Sequence, residues 1–109
     1  MHPSDPAAAL IAFDAEVRLA GPAGERVLPL ERFMALPEEG RRSETVLAPG
    51  ELLLGLRLPP HPPETRSVYL KAMDRAAFSF ALAGVAAVLR LSHGKVAHEI
   101  GRASCRERV

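Results

Sequence analysis

At 109 residues the chain holds one domain at most, or parts of two. Its 14 Lys and Arg against 13 Asp and Glu leave a net charge of +1, with 48% hydrophobic residues; that balance excludes the strongly basic surface of a nucleic-acid or anionic-membrane binder. Ten prolines and eight glycines are too scattered for collagen or low complexity, and Arg75 and Arg90 close the longest apolar run before it reaches the ~18 residues of a membrane span.

Ser4-Asp5-Pro6 is a helix start. Asp5 suits the N-cap and Pro6 the N1 position, where a missing N–H costs nothing, and Ala7 to Phe13 is the helix that follows. Glu16 to Leu19 alternates polar and apolar residues as a strand does. Gly21 to Gly24 is a turn, and Arg26 to Leu30 is a second strand that Pro29 confines to an edge. The two strands form a predicted β-hairpin. Glu31 to Leu36 is at most one helical turn, ended before Pro37, and the charged run from Pro37 to Thr45 is a solvated loop.

Leu52 to Leu58 reads as a strand, with Leu52, Leu54, Leu56 and Leu58 on one face and Leu53 on the other. The spacing predicts that the four leucines pack beneath a strand formed from Ala81 to Leu89. Pro59 to Pro63 is a stiff extended link. Val68 to Met73 is the next strand, with Tyr69 and Lys71 on one pleat face. Phe78 to Leu91 reads either way: its alanines favour helix, whereas its length and the turn after it favour strand. Ser92-His93-Gly94 is a hairpin turn, and Lys95 to His98 starts a return strand. The fold class expected is α+β: a short helix and β-hairpin followed by a small antiparallel sheet, truncated.

Few motifs carry chemistry. His2, His61, His93 and His98 fall in separate segments without ligand spacing, so no metal site is predicted. No dinucleotide fingerprint, P-loop or nucleophile elbow occurs, and no catalytic residue is assigned. Lys71 beside aromatics and a small-residue apolar run suits either a flat, electron-poor ligand or an ordinary sheet core.

Three stretches in order decide between these readings: HPSDPAAALIAFDAEVRL, LAPGELLLGLRLPP and YLKAMDRAAFSFALAGVAAVLRL. Together they resemble the FAD-binding middle subunit of the molybdenum hydroxylases, the family of xanthine dehydrogenases and aerobic carbon monoxide dehydrogenases. The resemblance implies FAD as cofactor and three matched contacts, Asp5, Leu53 and Lys71, with Ser4 beside Asp5. It implies partners too, a molybdenum-cofactor subunit and an iron–sulfur subunit, with electrons passing through FAD to NAD or another acceptor. The glycine-rich pyrophosphate loops of such flavoproteins are not in this sequence, so it is expected to hold little FAD by itself and to be inactive alone. The alternative is a non-enzymatic α+β interaction module whose apolar sheet face docks a partner.

The resemblance also implies a division: residues 1–48 end the FAD-binding domain, and 49–98 open the flavoprotein C-terminal domain. Residues 99–109, EIGRASCRERV, share no pattern with the rest and back-translate to a common sequencing adapter. They are read as a non-native tail; resequencing the locus distinguishes this from a genuine polar terminus. Excluding them removes three arginines and two glutamates, so residues 1–98 balance at 11 charges of each sign. Cys105, the single cysteine, goes with them, and no disulfide is predicted. No basic segment precedes an apolar one as in a signal peptide, so a cytoplasmic location is expected.

Overall fold

A computed structural model of the chain describes residues 4–35, 42–77 and 79–105. The element order is α1 (Asp5–Ala12), β1 (Glu16–Gly21), β2 (Gly24–Pro29), α2 (Leu30–Phe33), β3 (Leu52–Arg57), β4 (Thr65–Ala72), β5 (Ala83–Ser92) and β6 (Lys95–Cys105). They make two antiparallel three-stranded sheets, β2-β1-β3 and β4-β5-β6, with α1 between them in the packing. The α+β expectation holds.

Ser4, not Asp5, caps α1: its backbone is extended and its Oγ accepts from the Ala7 N–H at 3.2 Å. Asp5 takes the first helical position instead. Its charge there favours the positive end of the helix, and its carboxylate is left to reach across the fold. The alanines of α1 allow close approach to a sheet. Ala8 and Ala12 are buried against Ala86 and Val88 of β5. Phe13 ends the helix, and Asp14, at φ 57°, turns the chain into β1; Asp is among the few residues that tolerate this region.

β1 is the centre of the first sheet. Its alternation puts Val17 and Leu19 wholly out of solvent, where they meet Ala15, Leu30 and Phe33. The four-residue α2 exists to close this core: Leu30 and Phe33 are its buried residues. β2 lies at the edge, as Pro29 requires. Residues 36–41 of the charged loop lie outside the described residues.

β3 is a strand, but not where the leucine pattern placed it. It pairs with β1 in the first sheet, so Leu52, Leu54, Leu56 and Leu58 do not pack beneath β5; they are 47–68% exposed. Strict alternation fails as well. Leu53 pairs with Leu19 and Gly55 with Arg18, which leaves Leu54 as the extra residue of a β-bulge. The bulge brings Leu53, opposite Leu19, onto the face that Leu56 shares opposite Val17. Since β3 lies beyond the expected boundary at Ala48-Pro49 and still pairs with β1, the switch between sheets falls in residues 58–64.

The second sheet is a meander with β5 in the middle. β5 is shorter than the stretch expected to form it. It starts at Ala83, after an irregular segment in which the Leu82 N–H donates to the Ala72 carbonyl at 2.8 Å; Phe78 lies outside the described residues. The β5–β6 turn is the predicted one. His93 and Gly94 both have positive φ, 51° and 74°, the geometry whose twist matches the flanking strands. β6 runs past His98 to Cys105, paired with β5 along its length, so the backbone of residues 99–105 is part of the sheet although their sequence shares no pattern with the rest. A ladder uses backbone groups alone and is indifferent to that sequence.

Candidate functional site

The second sheet brings two of the sequence-predicted residues together. Tyr69 and Lys71 stand on one face of β4, two residues apart, and both reach the first turn of α1. Tyr69 Oη donates to Asp5 Oδ1 at 2.7 Å, and Lys71 Nζ donates to Asp5 Oδ2 at 2.6 Å. Lys71 also donates to the Ser79 carbonyl at 2.9 Å, while Ser79 Oγ donates to Asp74 Oδ1 at 2.7 Å. The segment after β4 is thereby folded back over the ammonium. Ser4 belongs to the site through its cap, which sets the helix start and with it the direction of Asp5.

The electrostatics follow from these contacts. The Lys71 hydrogen bond, then the one from Tyr69, hold the Asp5 carboxyl below its ordinary value. Burial, and secondly the Asp5 carboxylate, push the Tyr69 phenol up to about 12. At neutral pH the cluster therefore pairs the Asp5 carboxylate with a protonated phenol, with Lys71 as the second donor. A carboxylate has about four acceptor positions, and among the described residues two are filled, by Tyr69 and Lys71. The Asp5 side chain keeps 38% of its surface exposed, and the Lys71 side chain 20%. Such a cluster can accept from ligand hydroxyls and offer positive potential at the same place. Phe80, next to Ser79, is exposed and supplies an apolar surface beside it.

Leu53 is elsewhere. It sits on β3 in the other sheet, 49% exposed, and no described contact joins it to Asp5 or Lys71. The cleft of about 310 Å³ between the β1–β2 turn and residues 48–51 is likewise distinct from the Asp5 cluster, being lined by Gly21, Pro22, Arg26, Pro49 and Glu51 among others.

Three contacts escaped the sequence reading. Tyr69 read as a β-former, and only its shared face with Lys71 hinted at a common target. His61 bonds through Nε2 to the Phe13 carbonyl at 3.1 Å, and its ring meets that of Phe13 edge-on at 5.1 Å. Because a carbonyl only accepts, Nε2 carries a proton, and the stiff link is pinned to the end of α1. Arg26 grips Glu51 through Nε and Nη2 at 2.8 and 2.7 Å. A residue pair 25 positions apart leaves no local signal.

Comparison with known proteins identifies the fold. The family described as FAD binding domain in molybdopterin dehydrogenase matches residues 1–61. The aldehyde oxidoreductase FAD-binding subunit PaoB of Escherichia coli K12 is 40% identical over a 105-residue alignment covering 90% of this chain and 33% of that protein. A carbon monoxide dehydrogenase from Hydrogenophaga pseudoflava superposes with a TM-score of 0.81 at 30% identity, over 94% of this chain and 33% of its own. The carbon monoxide dehydrogenase of Oligotropha carboxidovorans gives 0.79 at 27% identity, over 94% and 34%. This chain thus spans about a third of the length of these relatives. No helix among the described residues is long and apolar enough to cross a membrane. The match over more than half of its length shows that the chain belongs to the FAD-binding domains of the molybdopterin dehydrogenases, flavoproteins of the molybdenum hydroxylase group, and that its cofactor is FAD.

Proposed function

We propose that this sequence is a portion of the flavoprotein subunit of a molybdenum hydroxylase, whose complete complex passes electrons from iron–sulfur clusters through FAD to NAD or another acceptor. The partners in this reading are a molybdenum-cofactor subunit and an iron–sulfur subunit, and the setting is the cytoplasm. The first sheet ends the FAD-binding domain and the second opens the C-terminal domain of that subunit. Residues 99–109 stay assigned to a translated adapter. With the pyrophosphate loops outside this sequence, the 109 residues alone hold FAD weakly and are inactive.

One observation carries the reading: Lys71 and Asp5, 66 positions apart, meet at 2.6 Å with the carboxylate still open to solvent. The residues fit the cofactor's chemistry. Asp5 offers acceptors to ribityl hydroxyls, Ser4 fixes the helix turn that presents it, Leu53 offers an apolar contact to the ring, and Lys71 supplies a cation. FAD, when bound, supplies the two-electron chemistry; the protein holds the ring and tunes it. A nearby ammonium favours added negative charge, so Lys71 raises the flavin's reduction potential. Family membership favours this over a non-enzymatic interaction module.

Lys71→Met in the complete subunit tests it. The substitution removes the charge and keeps most of the stem. A lower flavin potential or weaker FAD retention is expected, with the unfolding temperature little changed. Unchanged potential together with unchanged flavin content reduces Lys71 to a sheet-surface lysine.

A further inference from the structure

We infer that Tyr69 is a positioning residue for FAD binding: it acts on the cofactor through Asp5, fixing the rotation of the carboxylate so that one oxygen meets Lys71 and the unused acceptor positions face the ligand. The inference rests on the reading of Asp5 and Lys71 as cofactor contacts and adds to it a role for Tyr69, the aromatic two residues before Lys71.

The argument is geometric. A carboxylate at the first position of a helix can rotate about its side-chain bonds, and a single partner would leave one such rotation free. Here the two oxygens are divided between two donors, Tyr69 Oη on Oδ1 and Lys71 Nζ on Oδ2. Both donors come from one face of one strand, so their separation is set by the pleat and not by a loop. The phenol is the stiffer of the two. Its ring packs against the alanine-lined contact of α1 with β5, whereas a lysine ammonium sits on a flexible four-carbon stem. Tyr69 therefore defines where the carboxylate points, and Lys71 follows it. Ser79 backs the arrangement by holding Lys71 from the other side through its carbonyl. The phenol's raised proton affinity keeps it a donor throughout the neutral range.

Tyr69→Phe removes the hydroxyl alone and keeps the packed ring. In the complete subunit, measured by titration of the FAD-free protein, the variant is expected to raise the FAD Kd roughly fivefold, the size of one lost hydrogen bond, with only a small fall in the unfolding temperature. The decisive readout is coupling. If Tyr69 acts through Asp5, Tyr69→Phe has no further effect on FAD affinity once Asp5 is Ala, and the two losses are not additive. The flavin potential should shift in the same direction as in Lys71→Met but by less. Wild-type affinity in Tyr69→Phe beside a clear loss in Asp5→Ala overturns the positioning role and leaves the FAD reading intact. Additive losses also overturn it. Full FAD affinity in Asp5→Ala and Lys71→Met sinks the FAD reading, and the role of Tyr69 with it. Should Asp5→Ala fail to fold, Asp5→Asn replaces it in the same cycle.

Discussion

The two sheets do different work. In the first, the β1 side chains Val17 and Leu19 are sealed completely and α2 closes the core over them. In the second, the buried contacts are small: Ala8 and Ala12 on Ala86 and Val88. Its other face leaves Val68 and Leu70 51% and 65% exposed. The stability-bearing packing and the candidate cofactor residues are thus largely on separate sheets, joined by α1 and the His61 link. Their carboxylates differ in the same sense. Glu51 spends its oxygens on two guanidinium N–H groups and the Ala48 N–H, and only 10% of its side chain is exposed. Among the described residues Asp5 spends half of its acceptor capacity, and 38% of its side chain is exposed. A closed set of hydrogen bonds marks a clasp, and an open one leaves room for a ligand.

The largest effect expected is in the first core. Leu19→Ala removes a fully buried side chain between β2 and β3 and should cost about 3 kcal/mol, read by urea unfolding. A loss below ~1 kcal/mol would place the stabilising core elsewhere and erase the contrast between the sheets.

Next comes the clasp. Gly21 lets Glu51 cross the hairpin, since a Cβ there would lie 2.9 Å from Glu51 Cγ. Glu51→Gln keeps the shape and removes the charge. It should lower the unfolding temperature at neutral pH and leave FAD retention unchanged; lost FAD would merge the two regions into one site. The pH dependence has a definite sign. Arg26 first, then the Ala48 N–H, hold the Glu51 carboxyl below its ordinary 4.5. A depressed carboxyl stabilises fully above its unfolded value and loses that contribution as pH falls through the folded one. The gap between wild type and Glu51→Gln should therefore close as the solution is acidified below 4.5.

How far the sequence could foretell this depends on whether a residue's partner is local. The His93-Gly94 turn, the edge placement of Pro29 and the strands themselves were legible because their causes lie within a few residues. The cap was misplaced from Ser4 to Asp5 because Ser, Asp and Pro are each favoured at a helix start, and only the backbone decides between them. The leucine face failed at Leu54, since a bulge is a property of the pairing with β1 and not of the LLLGLRL string. The Asp5–Lys71 contact came from resemblance; spacing alone gives no account of two residues joined across 66 positions. Tyr69 stood out only as the aromatic sharing a pleat face with Lys71, because its partner is equally remote and tyrosine in a strand has an ordinary explanation in packing.

The smallest effect is spectroscopic, and it probes the open carboxylate directly. The chain has one tyrosine and no tryptophan, so phenolate absorbance in the near ultraviolet reports on Tyr69 alone. With burial first and Asp5 second raising it, its titration should centre at about 12 and not at the ordinary 10.0. A group whose folded value is raised contributes stability below its unfolded value, and that contribution fades as pH rises from 10 through about 12. In Asp5→Asn the carboxylate charge is gone but the ring remains packed. The midpoint should then move only part of the way down, because burial is the larger cause. A wild-type midpoint near 10 would mean that the phenol is neither packed nor bonded to Asp5. An unmoved midpoint in Asp5→Asn would leave the packing in place and remove the hydrogen bond on which the positioning of Asp5 depends.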